Sequence, residues 1–213
     1  MSSLRITEIF CSLQGEAHSA GWPTAFVRLT GCPLRCSWCD TGYAFTGGES
    51  LTLDIILARV AGFGVCHVTV TGGEPLAQAN CRDLLTALSD AGYTVSLETS
   101  GALDIAGLDP RVTVVMDLKA PGSGEEARNL YVNLDLLRPT DQVKFVLADR
   151  ADYEWACARM SEYDLAARCE VLVQPVHDTL PPAELAQWVL DDRLPARFQL
   201  QLHKLLWGDA RGR

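Results

Sequence analysis

Short apolar runs rich in β-branched residues punctuate the chain at 4–10, 25–29, 67–71, 94–98, 112–118, 142–147, 170–173 and 198–202. Their length and composition suit strands. Between most of them apolar positions recur at helical spacing, most clearly over 53–60, 81–91, 153–163 and 183–190. The last of these is entered through Pro181-Pro182, where a missing amide costs a helix nothing. Strands alternating with helices predict parallel pairing through right-handed crossovers. About six such units are too few to close an eight-fold barrel. The pattern therefore predicts an α/β fold, an open and incomplete parallel (β/α)6-type barrel. No linker, repeat or low-complexity tract divides 1–213, so one domain is expected, with Gly-Ser-Gly-Glu-Glu at 122–126 a flexible loop inside it.

In parallel α/β folds ligands gather at the carboxyl ends of the strands. The run ending at Thr71 leads into Gly72-Gly73-Glu74-Pro75. The glycines let the backbone approach a ligand, and Glu74 offers a carboxylate to a ligand ammonium. The same four residues also read as a plain strand–turn–helix corner. The next run ends in Glu98-Thr99-Ser100-Gly101, and the following one in Asp117-Leu118-Lys119, where a buried ion pair is the alternative reading. Gln174-Pro175-Val176-His177 and His203-Lys204 follow the later runs. Together these residues predict one polar rim.

Cys32, Cys36 and Cys39 form a C-x3-C-x2-C loop. Three thiolates can hold three irons of a cubane [4Fe–4S] cluster and leave the fourth open to a small molecule. The alternative is zinc, with Cys11, His18, Cys66 or His67 as a distant fourth ligand. Cys11, Cys66, Cys81, Cys157 and Cys169 have no spacing that suggests a second cluster. Eight cysteines without a signal peptide point to a reducing, cytoplasmic setting. No run approaches the roughly twenty apolar residues of a membrane span. A net charge of −9 and the absence of a Lys/Arg cluster argue against nucleic acid, leaving a small-molecule substrate.

With Trp38 directly before its last cysteine, the loop resembles the signature of the radical S-adenosylmethionine superfamily, and Gly72-Gly73-Glu74-Pro75 resembles its glycine-rich motif. Within that superfamily, Ser12-Leu13-Gln14-Gly15-Glu16, Phe26-Val27-Arg28 through Cys32, Cys39-Asp40-Thr41, Gln174-Pro175 and His203 through Gly208 resemble the 7-carboxy-7-deazaguanine synthase family. The resemblance covers nearly the whole chain. It implies ring contraction of 6-carboxy-5,6,7,8-tetrahydropterin to 7-carboxy-7-deazaguanine with loss of ammonia, on the route to queuosine. Hydrogen is taken from the substrate by a 5′-deoxyadenosyl radical made from S-adenosylmethionine at the cluster, and the cofactor is regenerated.

The resemblance also implies roles. Cys32, Cys36 and Cys39 would ligate the cluster. Leu13, Gln14, Gly15, Glu16, Arg28, Thr71 and His203 would meet the pterin. Gly72, Gly73, Glu74, Glu98, Asp117, Leu118, Lys119, Gln174, Pro175, Val176 and His177 would meet S-adenosylmethionine. Thr41 would ligate Mg²⁺ with Asp40 beside it; without the family, Asp-Thr reads as a helix cap. Arg28 suits the substrate carboxylate, against the alternative of an ion pair with Glu8 or Glu16. A flavodoxin or ferredoxin would supply the electron, and a homodimer is expected. Ala17 stands where the family often has glycine, and Asp117-Leu118 where some members have Ser-Pro. Two other readings are a radical activase acting on a partner protein and a non-enzymatic zinc or iron–sulfur module.

Overall fold

The computed structural model describes residues 2–213. The chain begins with β1 (Ser3–Leu13), β2 (Pro23–Leu29), β3 (Glu49–Thr52), α1 (Leu53–Ala61), β4 (His67–Gly72), α2 (Cys81–Asp90) and β5 (Thr94–Thr99). It continues with β6 (Thr113–Asp117), β7 (Gln142–Leu147), α3 (Arg150–Glu162), α4 (Leu165–Arg168) and β8 (Glu170–Pro175). The last elements are α5 (Pro182–Asp191), β9 (Arg197–Phe198) and α6 (Leu202–Trp207). All these strands join one sheet in the order β3-β1-β2-β4-β5-β6-β7-β8-β9, with β3 and β9 at its edges. From β2 onward through β4–β9 every pairing is parallel, as expected of an open barrel.

The first run is the exception. β1 pairs antiparallel with β2, Leu13 opposite Pro23, and antiparallel with β3. The connection from β1 to β2 is too short for the crossover of about a dozen residues that parallel pairing requires, so only a hairpin can form. β3 is Glu-Ser-Leu-Thr, with too few apolar positions to mark a strand in sequence. The final run, 198–202, is strand only at its start, because from Leu202 the chain turns into α6. α3 begins ahead of residue 153 because Asp149 caps it, accepting from the Asp152 amide at 2.9 Å.

The period of two along each parallel strand separates packing from chemistry. Val68 and Val70, Val95 and Leu97, and Val112 pack with Ile56 and Val60 of α1 and Leu84, Leu85 and Leu88 of α2. Val114, Met116, Val143, Phe145, Val171 and Val173 pack with Tyr153, Ala156 and Met160 of α3, Leu165 of α4 and Leu185 of α5. The intervening positions, including Thr71, Glu98, Asp117, Lys144 and Gln174, face the barrel interior. Fully covered parallel strands are normally apolar on both faces; here the inner face is polar because it lines a cavity.

No helix links β5 to β6 or β6 to β7; short 3₁₀ turns at Pro121–Ser123, Glu126–Arg128 and Tyr131–Leu136 fill the second gap. Side-chain hydrogen bonds replace helix packing there. Asn133 is wholly buried, donates to the carbonyls of Gly101 (3.1 Å) and Leu103 (2.8 Å), and accepts from the Ile105 amide (3.2 Å). Among the described residues no helix is long and apolar enough to cross a membrane. Asn133→Leu leaves the Leu103 carbonyl and the Ile105 amide without their partner, while Gly101 keeps the Leu130 amide, and is expected to cost about 2–4 kcal/mol. Thermal unfolding should then show a midpoint lower by roughly 5–12 °C.

Candidate active site

The carboxyl ends of the parallel strands open into a cavity of about 840 Å³. Cys32, Cys36 and Cys39, all free thiols, line it from the loop that leaves β2. That loop is held on both flanks. Gly31 donates to the Ala44 carbonyl at 2.8 Å, and the Glu74 amide donates to the Gly31 carbonyl at 2.8 Å. On the other side, Ser37 donates through its amide to the Ser123 carbonyl (3.0 Å) and through its hydroxyl to the Gly122 carbonyl (2.7 Å). The segment 122–126, expected to be a flexible loop, thus begins with a clamp on the cysteine loop, in which Ser123 is fully enclosed.

Gly72 and Gly73 line the cavity, but the close approach they permit is first to protein. A Cβ on Gly73 would lie 2.4 Å from the Gly31 carbonyl oxygen and 2.7 Å from Cys32 Cβ. One on Gly72 would lie 2.3 Å from the Leu29 carbonyl oxygen. Glu74 departs further from expectation. It is 0% exposed, and its carboxylate accepts from Thr99 Oγ1 (2.9 and 3.0 Å), the Ser100 amide (2.7 Å), Ser100 Oγ and the Leu76 amide (3.0 Å). With these partners it knots the turn after β4 to the end of β5, and Glu74 is not among the residues that line the cavity.

Because β1 runs antiparallel, Leu13, Gln14, Gly15 and Glu16 enter from the amino ends of the parallel strands, opposite the cysteines. All four line the cavity. The Gln14 side chain is spent inside the protein: Nε2 donates to Thr69 Oγ1 (3.0 Å) and Glu98 Oε1 (3.1 Å). Glu98 also accepts from the Thr71 hydroxyl at 2.9 Å, and both residues border the cavity. Ala17 is buried with φ 64°, a left-handed conformation that explains why glycine is favoured at this place.

Glu16 accepts from Lys144 Nζ at 2.6 Å and from Gln201 Nε2 at 3.0 Å. Burial pushes its carboxyl up, but Lys144 outweighs this and holds it down at about 2. Burial likewise opposes the charge of Lys144, while Glu16 and Asp117 hold its ammonium above the usual lysine range. Asp117 lies 3.6 Å from Lys144 and 3.1 Å from Lys119, so the ion-pair alternative for Asp117 and Lys119 is present, with both residues at the cavity wall.

Arg28 on β2 donates from Nε to Glu8 at 2.7 Å, and the Tyr43 hydroxyl donates to the same oxygen at 2.8 Å. The ion pair with Glu8 therefore exists, but it uses only one edge of the guanidinium. Its terminal amino groups make no hydrogen bond among the described residues, and Arg28 lines the cavity. Thr41 stands at the cap of the 3₁₀ turn Gly42–Ala44 without making a side-chain capping bond, so the helix-cap reading does not account for its hydroxyl. Asp40 and Thr41 both face the cavity. His203 stacks so closely on Gly15 that a Cβ there would lie 2.3 Å from its Nδ1.

Gln174, Val176 and His177 also line the cavity. Pro175 borders a neighbouring groove instead, and the Leu118 side chain is packed in the core. Cys66 and His67 sit at the amino end of β4, with Trp22 over the His67 ring at 5.2 Å, and neither they, Cys11 nor exposed His18 line the cavity. The distant zinc ligands are thus not with the three cysteines. Lys144, Gln201, Tyr43 and Arg211 are among the cavity residues that carry no sequence motif. Lys144 left a signal, a charge inside the apolar run Gln-Val-Lys-Phe-Val-Leu. Arg211, 4.0 Å over the Tyr43 ring, left none.

An open parallel barrel with a three-cysteine loop at its strand ends defines a radical S-adenosylmethionine protein, and residues 26–163 match the Radical SAM superfamily. The chain is 47% identical to the 7-carboxy-7-deazaguanine synthase of Chlorobaculum tepidum, over 98% of this chain and 97% of the relative. It is 42% identical to that of Koribacter versatilis, over 96% and 97%. The chain belongs to the 7-carboxy-7-deazaguanine synthase family of radical S-adenosylmethionine enzymes. The activase and zinc-module readings fall away. The fold agrees: the crystal structure of QueE from Escherichia coli matches with a TM-score of 0.77 at 24% identity, over 94% of this chain and 95% of that one. Archaeal TYW1 matches more distantly, with a TM-score of 0.59 at 13% identity, over 83% and 73%.

The superfamily carries a [4Fe–4S] cluster and uses S-adenosylmethionine, and the donor set fits. Burial pushes the Cys32 and Cys36 thiols up, with the Leu34 amide opposing it at Cys32 and Lys119 opposing it at Cys36. Iron supplies the positive charge that turns such thiols into ligands. Gly73→Ala is expected to displace the cysteine loop, since both near neighbours of the new methyl belong to it. Iron and sulfide per chain after anaerobic reconstitution should fall to roughly half or less, without loss of the fold by circular dichroism.

Proposed function

We propose that this cavity converts 6-carboxy-5,6,7,8-tetrahydropterin to 7-carboxy-7-deazaguanine and ammonia, as a carbon–nitrogen lyase in queuosine biosynthesis. The observation that carries the reading is the meeting, in one cavity, of the cysteine loop from the carboxyl ends of the strands and Leu13–Glu16 from their amino ends. When bound, the reduced cluster and S-adenosylmethionine supply the radical that starts the reaction. The chain's own residues bind, orient and exclude water.

The free amino groups of Arg28 take the substrate carboxylate in two-pronged fashion, while Glu8 and Tyr43 fix the guanidinium from behind. Glu16, kept ionised, accepts from the amidine edge of the pterin. Glu98 and Thr71 form the adjoining polar wall, and His203 closes the pocket over Gly15. Asp117 and Lys119, with Gln174, Val176 and His177, flank the cofactor side. Thr41 supplies a hydroxyl oxygen to Mg²⁺, with Asp40 beside it; a hard cation that retains most of its waters needs few protein ligands. The whole chain acts as one domain. It works as a homodimer in the cytoplasm, where eight cysteines stay reduced, and receives its electron from a flavodoxin or ferredoxin.

Anaerobically reconstituted and reduced protein, given S-adenosylmethionine, Mg²⁺ and the pterin, should yield 7-carboxy-7-deazaguanine by mass spectrometry. Appearance of 5′-deoxyadenosine without that product would mean that the substrate is another molecule. Thr41→Val removes the hydroxyl while keeping the shape. It should shift the Mg²⁺ activation curve by about tenfold or more to higher concentration; an unchanged curve would place the ion elsewhere.

A further inference from the structure

We propose that Lys144 is a positioning residue: it fixes the orientation and charge of Glu16 at the pterin site and ties that site to the cofactor side of the cavity through Asp117. The inference rests on the function proposed above and assigns a residue that this function left unused.

Lys144 is at an inward position in the middle of β7, its side chain only 12% exposed. Its ammonium is 2.6 Å from Glu16, which arrives from the opposite end of the barrel, and 3.6 Å from Asp117 at the end of β6. Asp117 continues to Lys119 at 3.1 Å. One line of alternating charge therefore crosses the cavity from Gln201 and Glu16 to Lys119. Strand register sets its centre, since Asp117 and Lys144 are paired residues of β6 and β7.

Stability alone does not account for it. Buried ion pairs seldom stabilise a fold more than apolar side chains of the same volume, because desolvation offsets the attraction. An all-apolar interior at these positions would hold the barrel at least as well. The line also has one open valence in its interior: Asp117 Oδ1 is buried and accepts from nothing among the described residues. A structural network closes its valences, whereas one that serves a ligand keeps an acceptor for it.

The titratable groups around Glu16 are Lys144 from β7 and His203 from α6, with the neutral amide of Gln201 as its other partner. Those around Lys144 are Glu16, Asp117 and, further off, Glu98. Removal of Lys144 leaves Glu16 buried with no full positive charge in contact. Its carboxyl then titrates above the ordinary 4.5 instead of at about 2. The pterin edge consequently loses an ionised acceptor as pH falls, and regains it as pH rises through the new value.

The test compares Lys144→Met and Lys144→Arg with the wild type in two measurements. The first follows the Glu16 carboxyl by ¹³C NMR, assigned with Glu16→Gln. In Lys144→Met it should titrate above 4.5, and in Lys144→Arg it should stay low. The second measures kcat and KM for the pterin across the pH range the cluster tolerates. In Lys144→Met, KM should rise by about tenfold or more at the acid end and recover toward the alkaline end, with kcat much less affected. Lys144→Arg should restore both. An unmoved Glu16 titration, or a KM that rises equally at every pH together with a fall in kcat, would overturn the proposal. Should Lys144→Met fail to fold, Lys144→Gln serves in its place. If the wild type makes no product from this pterin, the substrate assignment fails, and the carboxyl titration still decides the role of Lys144.

Discussion

A parallel barrel that holds a charged ligand must turn polar side chains inward, and inside a protein those charges have to face partners. That requirement organises this molecule. Arg28 meets Glu8, Glu16 meets Lys144, and Asp117 stands between two lysines, each pair drawn from different strands or from a strand and a loop. The alternation of side chains along β4–β8 makes it possible, sending valines and leucines to the helices and the charges to the cavity. The same pairs join the halves of the sheet, because Glu16 belongs to the β1–β2 connection and Lys144 to β7.

The cluster loop depends on contacts of another kind. It carries no regular structure across the three cysteines, so its shape comes from what touches it. Gly72 and Gly73 bring the end of β4 against Gly31 and Cys32, and the turn at Pro121–Ser123 takes Ser37. Both supports are backbone, one at the end of β4 and the other in the turn after β6. A site that must hold an iron–sulfur centre against an organic cofactor gains from rigid support.

Much of this was legible beforehand. The strand and helix pattern announced a parallel α/β fold, and the cysteine spacing announced the cluster. What the sequence leaves open has physical causes. Apolar patterning places β1 in the parallel series because it is blind to strand direction, which is set by the length of the following connection. For Glu74 the motif gives a residue type without telling which way the side chain points. Its carboxylate is consumed by Thr99 and Ser100, residues of the next strand end. Gln14 is similar: a polar residue in a substrate loop whose amide turns back onto Thr69 and Glu98.

By itself the sequence determined the elements, the side of each strand that is apolar, and the chemistry of the cysteine loop. Those follow from local periodicity and from residue type, which need no knowledge of what lies across the cavity. Tertiary structure alone decided which charges pair, that the pterin-facing loop enters opposite the cluster, and that Lys144 stands at the centre. Residues 16, 117, 144 and 201 are far apart along the chain, and only strand register and the antiparallel turn of β1 bring them within a few ångströms. Electrostatic pairing depends on distance in space, a quantity fixed only when the sheet has curled around its cavity.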